Sequence, residues 1–177
     1  MKSIYCLRHG QTNYNVLGLC NDDPSRDVHL TELGRAQAQA AANELRHARL
    51  EKIFVSPLRR TRETAEIINQ FHHAPIVTDP LLIDLRSGFD SQPVSDYFAA
   101  VARNRLHARP PNGESVFEHK QRVLAFIRWL MLQGDASVLV VAHEETMRVF
   151  VAYFADLSDE EMLEVTARNC QIFHWER

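Results

Sequence analysis

The chain of 177 residues predicts an α/β fold, a three-layer α/β/α sandwich around a mostly parallel, mixed sheet. Three observations carry that expectation. Short apolar runs alternate with helical segments along the whole length, the pattern of layered α/β proteins. One run, Val138-Leu139-Val140-Val141-Ala142, is apolar without interruption, as a central strand covered on both faces must be. The intervening segments begin with Ser or Thr residues placed to cap a helix.

In chain order, the first strand is expected over 3–7, where Ile4-Tyr5-Cys6-Leu7 supply the apolar run. Thr31 then precedes an Ala- and Gln-rich stretch that reads as a helix to about Arg49. A second strand over 52–55 leads into Ser56-Pro57, read as an N-cap with proline at the first helical position. A third strand falls at 75–78. The stretch 84–113 holds Gly88, Pro93, Pro110, Pro111 and Gly113 and is the least regular, so it reads as a lid over the strand ends. Tyr97, Phe98, Val101 and Leu106 predict one helix within it.

Ser115-Val116-Phe117-Glu118 fits the capping box, in which serine and glutamate satisfy each other's free backbone N–H groups. In the helix that follows, Val116, Val123, Leu124, Ile127, Leu130 and Met131 form one apolar stripe, as a helix packed on a sheet requires. The strand over 137–142 comes next, then a second capping box at Ser158-Asp159-Glu160-Glu161, then a last strand over 170–175. Length and pattern together predict a single domain, 1–177.

Composition narrows the function. Hydrophobic residues make up 45% and charged residues 24%, as in ordinary soluble proteins. A net charge of −3 offers no basic surface for nucleic acid or anionic membrane. No run approaches the length of a membrane span, and no charged-then-apolar leader opens the chain. Cys6, Cys20 and Cys170 lack metal-ligand spacing and read as small buried residues in a reducing compartment. A cytoplasmic location is therefore expected. His72-His73 has no partners at ligand spacing, and His143-Glu144-Glu145-Thr146-Met147 lacks the second histidine of a zinc-protease helix.

The chemistry lies where the strands end. Arg8-His9-Gly10-Gln11-Thr12 follows the first strand, and open α/β sheets bind ligands outside the carboxyl ends of their strands. Asn15 is six residues beyond His9, close enough to lend an amide to the same pocket. Arg59-Arg60 follows the second strand, where a fork of guanidinium donors and a helix N-terminus can meet an anion. Asp84 follows the third strand and supplies an acid; His143 ends the central one. Arg8, His9, Arg60, Asp84 and His143 thus project from one sheet edge.

Taken together, these segments resemble the histidine phosphatase, or phosphoglycerate mutase-like, superfamily over nearly the whole chain. Arg8-His9-Gly10-Gln11-Thr12 with Asn15 resembles its Arg-His-Gly-x-Thr-x-x-Asn signature. Leu30-Thr31-Glu32-Leu33-Gly34 with Gln37-Ala38, and Ser56-Pro57-Leu58-Arg59-Arg60-Thr61 with Thr64-Ala65, are similar to two further family segments. Pro111-Asn112-Gly113-Glu114-Ser115 resembles a motif of its phosphatase branch, and Val140-Val141-Ala142-His143 the strand that delivers a second histidine. The resemblance implies a phosphohistidine formed on His9, with Arg8, Arg60, His143 and Asn15 around the phosphoryl oxygens. Asp84 is then the proton donor, Gln11, Thr12 and Glu114 contact substrate, and no metal or cofactor takes part.

The chain departs from the family at two points. Most relatives carry glutamate where Asp84 stands, followed by a Gly-x-Trp-Glu-Gly motif that is absent here, which leaves Asp90 and Glu144 as alternative donors. Small residues usually follow the second histidine, whereas here Glu144-Glu145 do. Either they complement a helix dipole, or Glu144 faces the pocket rim and favours a positive group beside the phosphate.

The expected activity is hydrolysis of a small phosphorylated metabolite, with broad small phosphatases and α-ribazole phosphate phosphatases as the most similar branch. A mutase is the alternative, disfavoured because those relatives resemble longer chains with a C-terminal tail shielding the phosphoenzyme. A regulatory binding module without turnover is the third reading. The last strand is a candidate sheet edge through which a homodimer could pair.

Overall fold

The computed structural model describes all of residues 1–177. The elements run β1 (Ser3–Arg8), α1 (Asn13–Leu17), α2 (Glu32–Leu45), β2 (Lys52–Val55), α3 (Arg59–Asn69), β3 (Ile76–Thr78), a 3-10 turn at Pro80–Leu82, α4 (Val94–Val101), α5 (Val116–Met131), β4 (Ser137–Ala142), α6 (Glu144–Ala155), α7 (Asp159–Glu164) and β5 (Ile172–Glu176). They form one five-stranded sheet in the order β3-β2-β4-β1-β5. The pairs β2–β3, β2–β4 and β1–β4 are parallel, while β5 runs antiparallel to β1 at the edge.

Side chains alternate across the pleat, and the two faces bury different helices. Ile4, Cys6, Phe54, Val138, Val140 and Ala142 face a core built with α4, α5, α6 and α7. Leu7, Ile53, Val55, Leu139 and Val141 face a second core built with α2 and α3. The central strand β4 is buried on both sides, which explains its unbroken apolar run.

Several local expectations are refined. Helix α2 keeps its Thr31 cap, whose Oγ1 accepts from Gly34 N, but ends at Leu45. Ser56 does not cap α3: the helix starts at Arg59 with Leu58 at the cap position and no side-chain cap bond. Ser56 Oγ instead accepts from Leu58 N at 3.2 Å, closing a short turn. The helix expected within 84–113 is α4, which stops at Val101, so Leu106 lies beyond it. In α5, Phe126 joins the fully buried stripe, while Leu124 and Met131 lie at its margin. Helix α1, a single turn unmarked by any apolar run, is held by a reciprocal cap between Thr12 and Asn15. No helix is long and apolar enough to cross a membrane.

The Arg8-His9-Gly10 turn is fixed by backbone contact with the start of α2. A Cβ on Gly10 would lie 2.4 Å from the Gly34 carbonyl oxygen, and one on Gly34 would lie 2.0 Å from that of Gln11. Two motifs distant in sequence are therefore two halves of one close approach that only glycine permits.

Candidate active site

Strands β1 and β4 are neighbours, with Arg8 opposite Ala142, so the residues that follow them, His9 and His143, emerge side by side. Their ring centroids are 5.4 Å apart. His9 is 3% and His143 1% exposed. Burial, with Arg60 as the next cause, pushes both imidazoles well below their ordinary pKa, so both are neutral near pH 7.

The partners of His9 define its tautomer. Its Nδ1 is 2.7 Å from the Gly10 carbonyl oxygen, which can only accept, so the proton sits on Nδ1. Its Nε2 then carries the lone pair, and Arg60 Nε donates to it at 3.1 Å. His143 Nε2 pairs with Ser56 Oγ at 2.8 Å, so the turn that failed to cap α3 holds the second histidine.

Arg60, at the start of α3 and 4% exposed, is the hub of the site. Its Nη1 donates to Asn21 Oδ1 at 2.5 Å, and its Nη2 to the Asn21 carbonyl at 3.0 Å and to Asp84 Oδ2 at 2.9 Å. Nη2 is also 3.3 Å from His143 Nδ1. Asp84 Oδ2 lies 3.4 Å from that same nitrogen. Asp84 thus faces His143 directly and reaches His9 through the arginine.

A cavity of about 410 Å³ opens over this cluster and is lined by Arg8, His9, Thr12, Asn15, Arg60, Asp84 and Glu144 among others. Two other sequence candidates point elsewhere. Gln11 Oε1 accepts from the Thr31 hydroxyl at 2.9 Å, and the Gln11 backbone N–H donates to Gln37 Oε1 at 2.9 Å, so this residue ties the catalytic turn to α2. Glu114 lies outside the cavity lining and is 2% exposed.

Glu114 accepts from Arg122 Nη2 at 2.5 Å and from the Arg86 backbone N–H at 3.1 Å, and sits 3.5 Å from His119 Nδ1. Burial alone would push Glu114 up, but His119 and Arg122 outweigh it and hold its carboxyl well below the usual range. Arg122 in turn donates to the carbonyls of Leu81 and Ile83 at 2.7 and 2.9 Å. The Glu114–Arg122 pair therefore fixes the backbone that carries Asp84.

Of the alternative acids, Asp90 is outside the cavity lining. Its carboxylate accepts from Asn21 Nδ2, from the backbone N–H groups of Asp22 and Asp23, and from Arg26 Nε, and so organises the 20–23 loop. Glu144 does line the cavity, but its Oε2 accepts from Arg8 Nη1 at 2.7 Å and its Oε1 from Arg148 Nη2 at 3.3 Å. Arg59 is exposed and pairs with Glu63 and Asp27, apart from the site.

Sequence reasoning missed Asn21, Arg122, His119 and Arg148. Arg148 alone had a legible signal, because it stands four residues after Glu144 on one helix, the spacing of a surface ion pair. Arg122 and Asn21 act across long separations that no local pattern encodes. No group of three or more His, Cys, Asp or Glu side chains is arranged to hold a metal ion.

The family model of the histidine phosphatase superfamily (branch 1) matches residues 4–177. The chain belongs to the histidine phosphatase superfamily. This family member is 31% identical to a protein of Erwinia tasmaniensis named probable phosphoglycerate mutase GpmB, over 97% of this chain and 83% of that one. Among solved structures it resembles the α-ribazole phosphatase of Shigella flexneri, at 25% identity and a TM-score of 0.87, covering 97% of this chain and 89% of that one. It also resembles a mycobacterial glucosyl-3-phosphoglycerate phosphatase solved with VO3, at 26% identity and a TM-score of 0.80, over 98% and 90% of the two chains. The superfamily thus joins phosphatases and mutases on the fold described above.

Proposed function

We propose that the protein is a metal-independent phosphatase that hydrolyses a small phosphomonoester through a phosphohistidine on His9. The observation that carries this reading is the neutral His9 ring, proton on Nδ1 and lone pair on Nε2, lining a cavity with Arg8 and Arg60. A phosphoryl group placed there meets a nucleophile and cationic donors at once.

The Nε2 lone pair attacks phosphorus in line, a P–N bond forms, and the P–O bond to the leaving alcohol breaks. The departing oxygen takes the electron pair and a proton from the Asp84 carboxyl. In the second step Asp84 takes a proton from water, whose oxygen attacks phosphorus, and the P–N electrons return to Nε2. Arg8, Arg60 and His143, with the Asn15 amide, offset charge on the equatorial oxygens. In the empty site Asp84 pairs with Arg60. A phosphate that takes over Arg60 frees the Asp84 carboxyl to face the leaving oxygen.

The side chain of Asp84 is 24% exposed, so water has access to the acid–base group, which supports hydrolysis. The alternative, transfer between positions of one substrate, rests on the mutase name carried by the Erwinia relative. The α-ribazole phosphatase name of the Shigella neighbour makes α-ribazole phosphate one substrate to include.

The deciding experiment is p-nitrophenyl phosphate hydrolysis in excess EDTA, comparing wild type with His9→Ala. Turnover that survives the chelator and falls by about a thousandfold or more in the variant is expected. Turnover that EDTA abolishes, or that His9→Ala retains, overturns the reading. No turnover by the wild type shifts weight to a binding module, and phosphoglycerate isomerisation without phosphate release shifts it to a mutase.

A further inference from the structure

The far side of the cavity has a composition that a bare phosphate does not explain. Three arginines, Arg8, Arg60 and Arg148, and three carboxylates, Asp84, Glu144 and Glu145, line it. Both catalytic histidines are neutral, so the empty cavity is electrically balanced. Arg105 stands beside Glu145 as one further cation, and a phosphate dianion adds two negative charges to that set, so a positive group on the substrate is favoured there.

Glu145 is where that charge is least compensated. Its nearest cations are Arg148 Nε at 3.5 Å and Arg105 Nη2 at 3.9 Å, both ion-pair contacts and neither a hydrogen bond at good distance. Its Oε2 is out of contact with solvent and has no hydrogen-bond partner. Arg148, 8% exposed, lines the same space with its Nε also unpartnered, while its other nitrogens are committed to Glu144 and to the Leu163 carbonyl. A buried carboxylate oxygen left without a partner is costly, and a ligand that fills the vacancy recovers that cost.

The wall beside Glu145 suits a cation. Tyr97 and Phe98 of α4 line the cavity with their ring centroids 5.4 Å apart. The guanidinium of Arg105 already lies 5.6 Å above the Phe98 ring centroid on its way toward Glu145. Aromatic faces and a carboxylate together are a cation-binding combination. Burial, against the opposing influence of Arg148, also raises the Glu145 carboxyl above its ordinary value, which a cationic ligand would reverse.

We propose that the leaving group of the physiological substrate carries a cationic nitrogen, received by Glu145 against the Tyr97–Phe98 wall. This rests on the phosphatase reading above and names the class of phosphomonoester it acts on. Glu144, by contrast, is a positioning residue that holds Arg8 between substrates.

The test uses two phosphomonoesters of matched shape, phosphoethanolamine and propyl phosphate, which differ by an ammonium in place of a methyl. Their dissociation constants are measured by calorimetry on full-length His9→Ala protein, which cannot turn them over. Phosphoethanolamine is expected to bind about tenfold tighter or more, the size of one charge-assisted hydrogen bond. Adding Glu145→Gln, isosteric but uncharged, should shrink the ratio to about twofold, with a thermal melt confirming that the variant folds. The same ratio is read as kcat/KM in the wild type.

Equal binding of the pair overturns the proposal, as does a preference that survives Glu145→Gln, or binding of neither compound. Wild-type hydrolysis of p-nitrophenyl phosphate without any preference for the ammonium sinks this inference alone and leaves the phosphatase reading in place. Loss of p-nitrophenyl phosphate hydrolysis sinks the reading beneath it.

Discussion

The two ends of the cavity are built differently. At the phosphate end, His9 and His143 directly follow neighbouring parallel strands and Arg60 opens a helix two residues in, all of them almost fully buried. Their ring nitrogens and guanidinium are engaged by Gly10, Ser56, Asn21 and Asp84. At the leaving-group end, the residues come from α4 and the first turns of α6. There Glu145 Oε2 and Arg148 Nε have no hydrogen-bond partner, and Phe98 is 43% exposed. Apart from Arg8, whose Nε is also unpartnered, the phosphate end is satisfied before substrate arrives and the other end is not. Reacting groups gain from being held still by their own partners, because preorganisation carries the rate. A group that recognises the leaving part gains from being left incomplete, because the ligand then supplies the missing contact.

Three measurements sharpen that contrast. The largest effect is expected at Asp84: Asp84→Asn should lower kcat for an alkyl phosphate by about 10²- to 10⁴-fold, the usual worth of a positioned acid. The loss should be much smaller for p-nitrophenyl phosphate, whose leaving oxygen needs no proton. Equal losses on both substrates would show that Asp84 orients Arg60 and donates no proton.

A smaller effect is expected behind the site. Arg122→Met removes the donor that holds the Leu81 and Ile83 carbonyls and leaves Glu114 with only His119 and Arg86 as partners. We expect kcat to fall by about tenfold, with KM for p-nitrophenyl phosphate changed less than twofold, because Arg122 positions Asp84 without lining the cavity. A rise in KM with kcat intact would show that the network shapes binding.

The smallest effect is thermodynamic. His9 and His143 hold protons only well below their ordinary pKa in the folded state, whereas unfolded histidine titrates near about 6.5. Between those limits the unfolded chain binds more protons, so stability rises with pH and levels off above about 6.5. Melting temperature should therefore fall as pH drops from 7 to 5, and His143→Asn should flatten that slope. A slope that His143→Asn leaves unchanged would assign the dependence to other groups. The same shifts keep His9 unprotonated, so the acid limb of kcat/KM should not set in as pH falls from 7 to 6.5.

The sheet, its two buried faces and the strand-end placement of Arg8, His9, Arg60, Asp84 and His143 were legible in the sequence. Those features are local or periodic: an unbroken apolar run marks a doubly covered strand, and the residue after a parallel strand emerges at its carboxyl edge whatever its neighbours. The partners were not legible. That Gln11 turns to Thr31 and Gln37, that Glu114 clamps Arg122 behind the acid, and that Glu144 occupies Arg8 are contacts between segments 8 to 136 residues apart. The Gly10–Gly34 approach belongs with them, since each glycine is explained only by the backbone of the other segment. Periodicity sets which way a strand or helix faces, and with it where a reactive side chain emerges. Which hydrogen bond that side chain makes depends on the packing of the two layers against the sheet, and that is a property of the folded molecule alone.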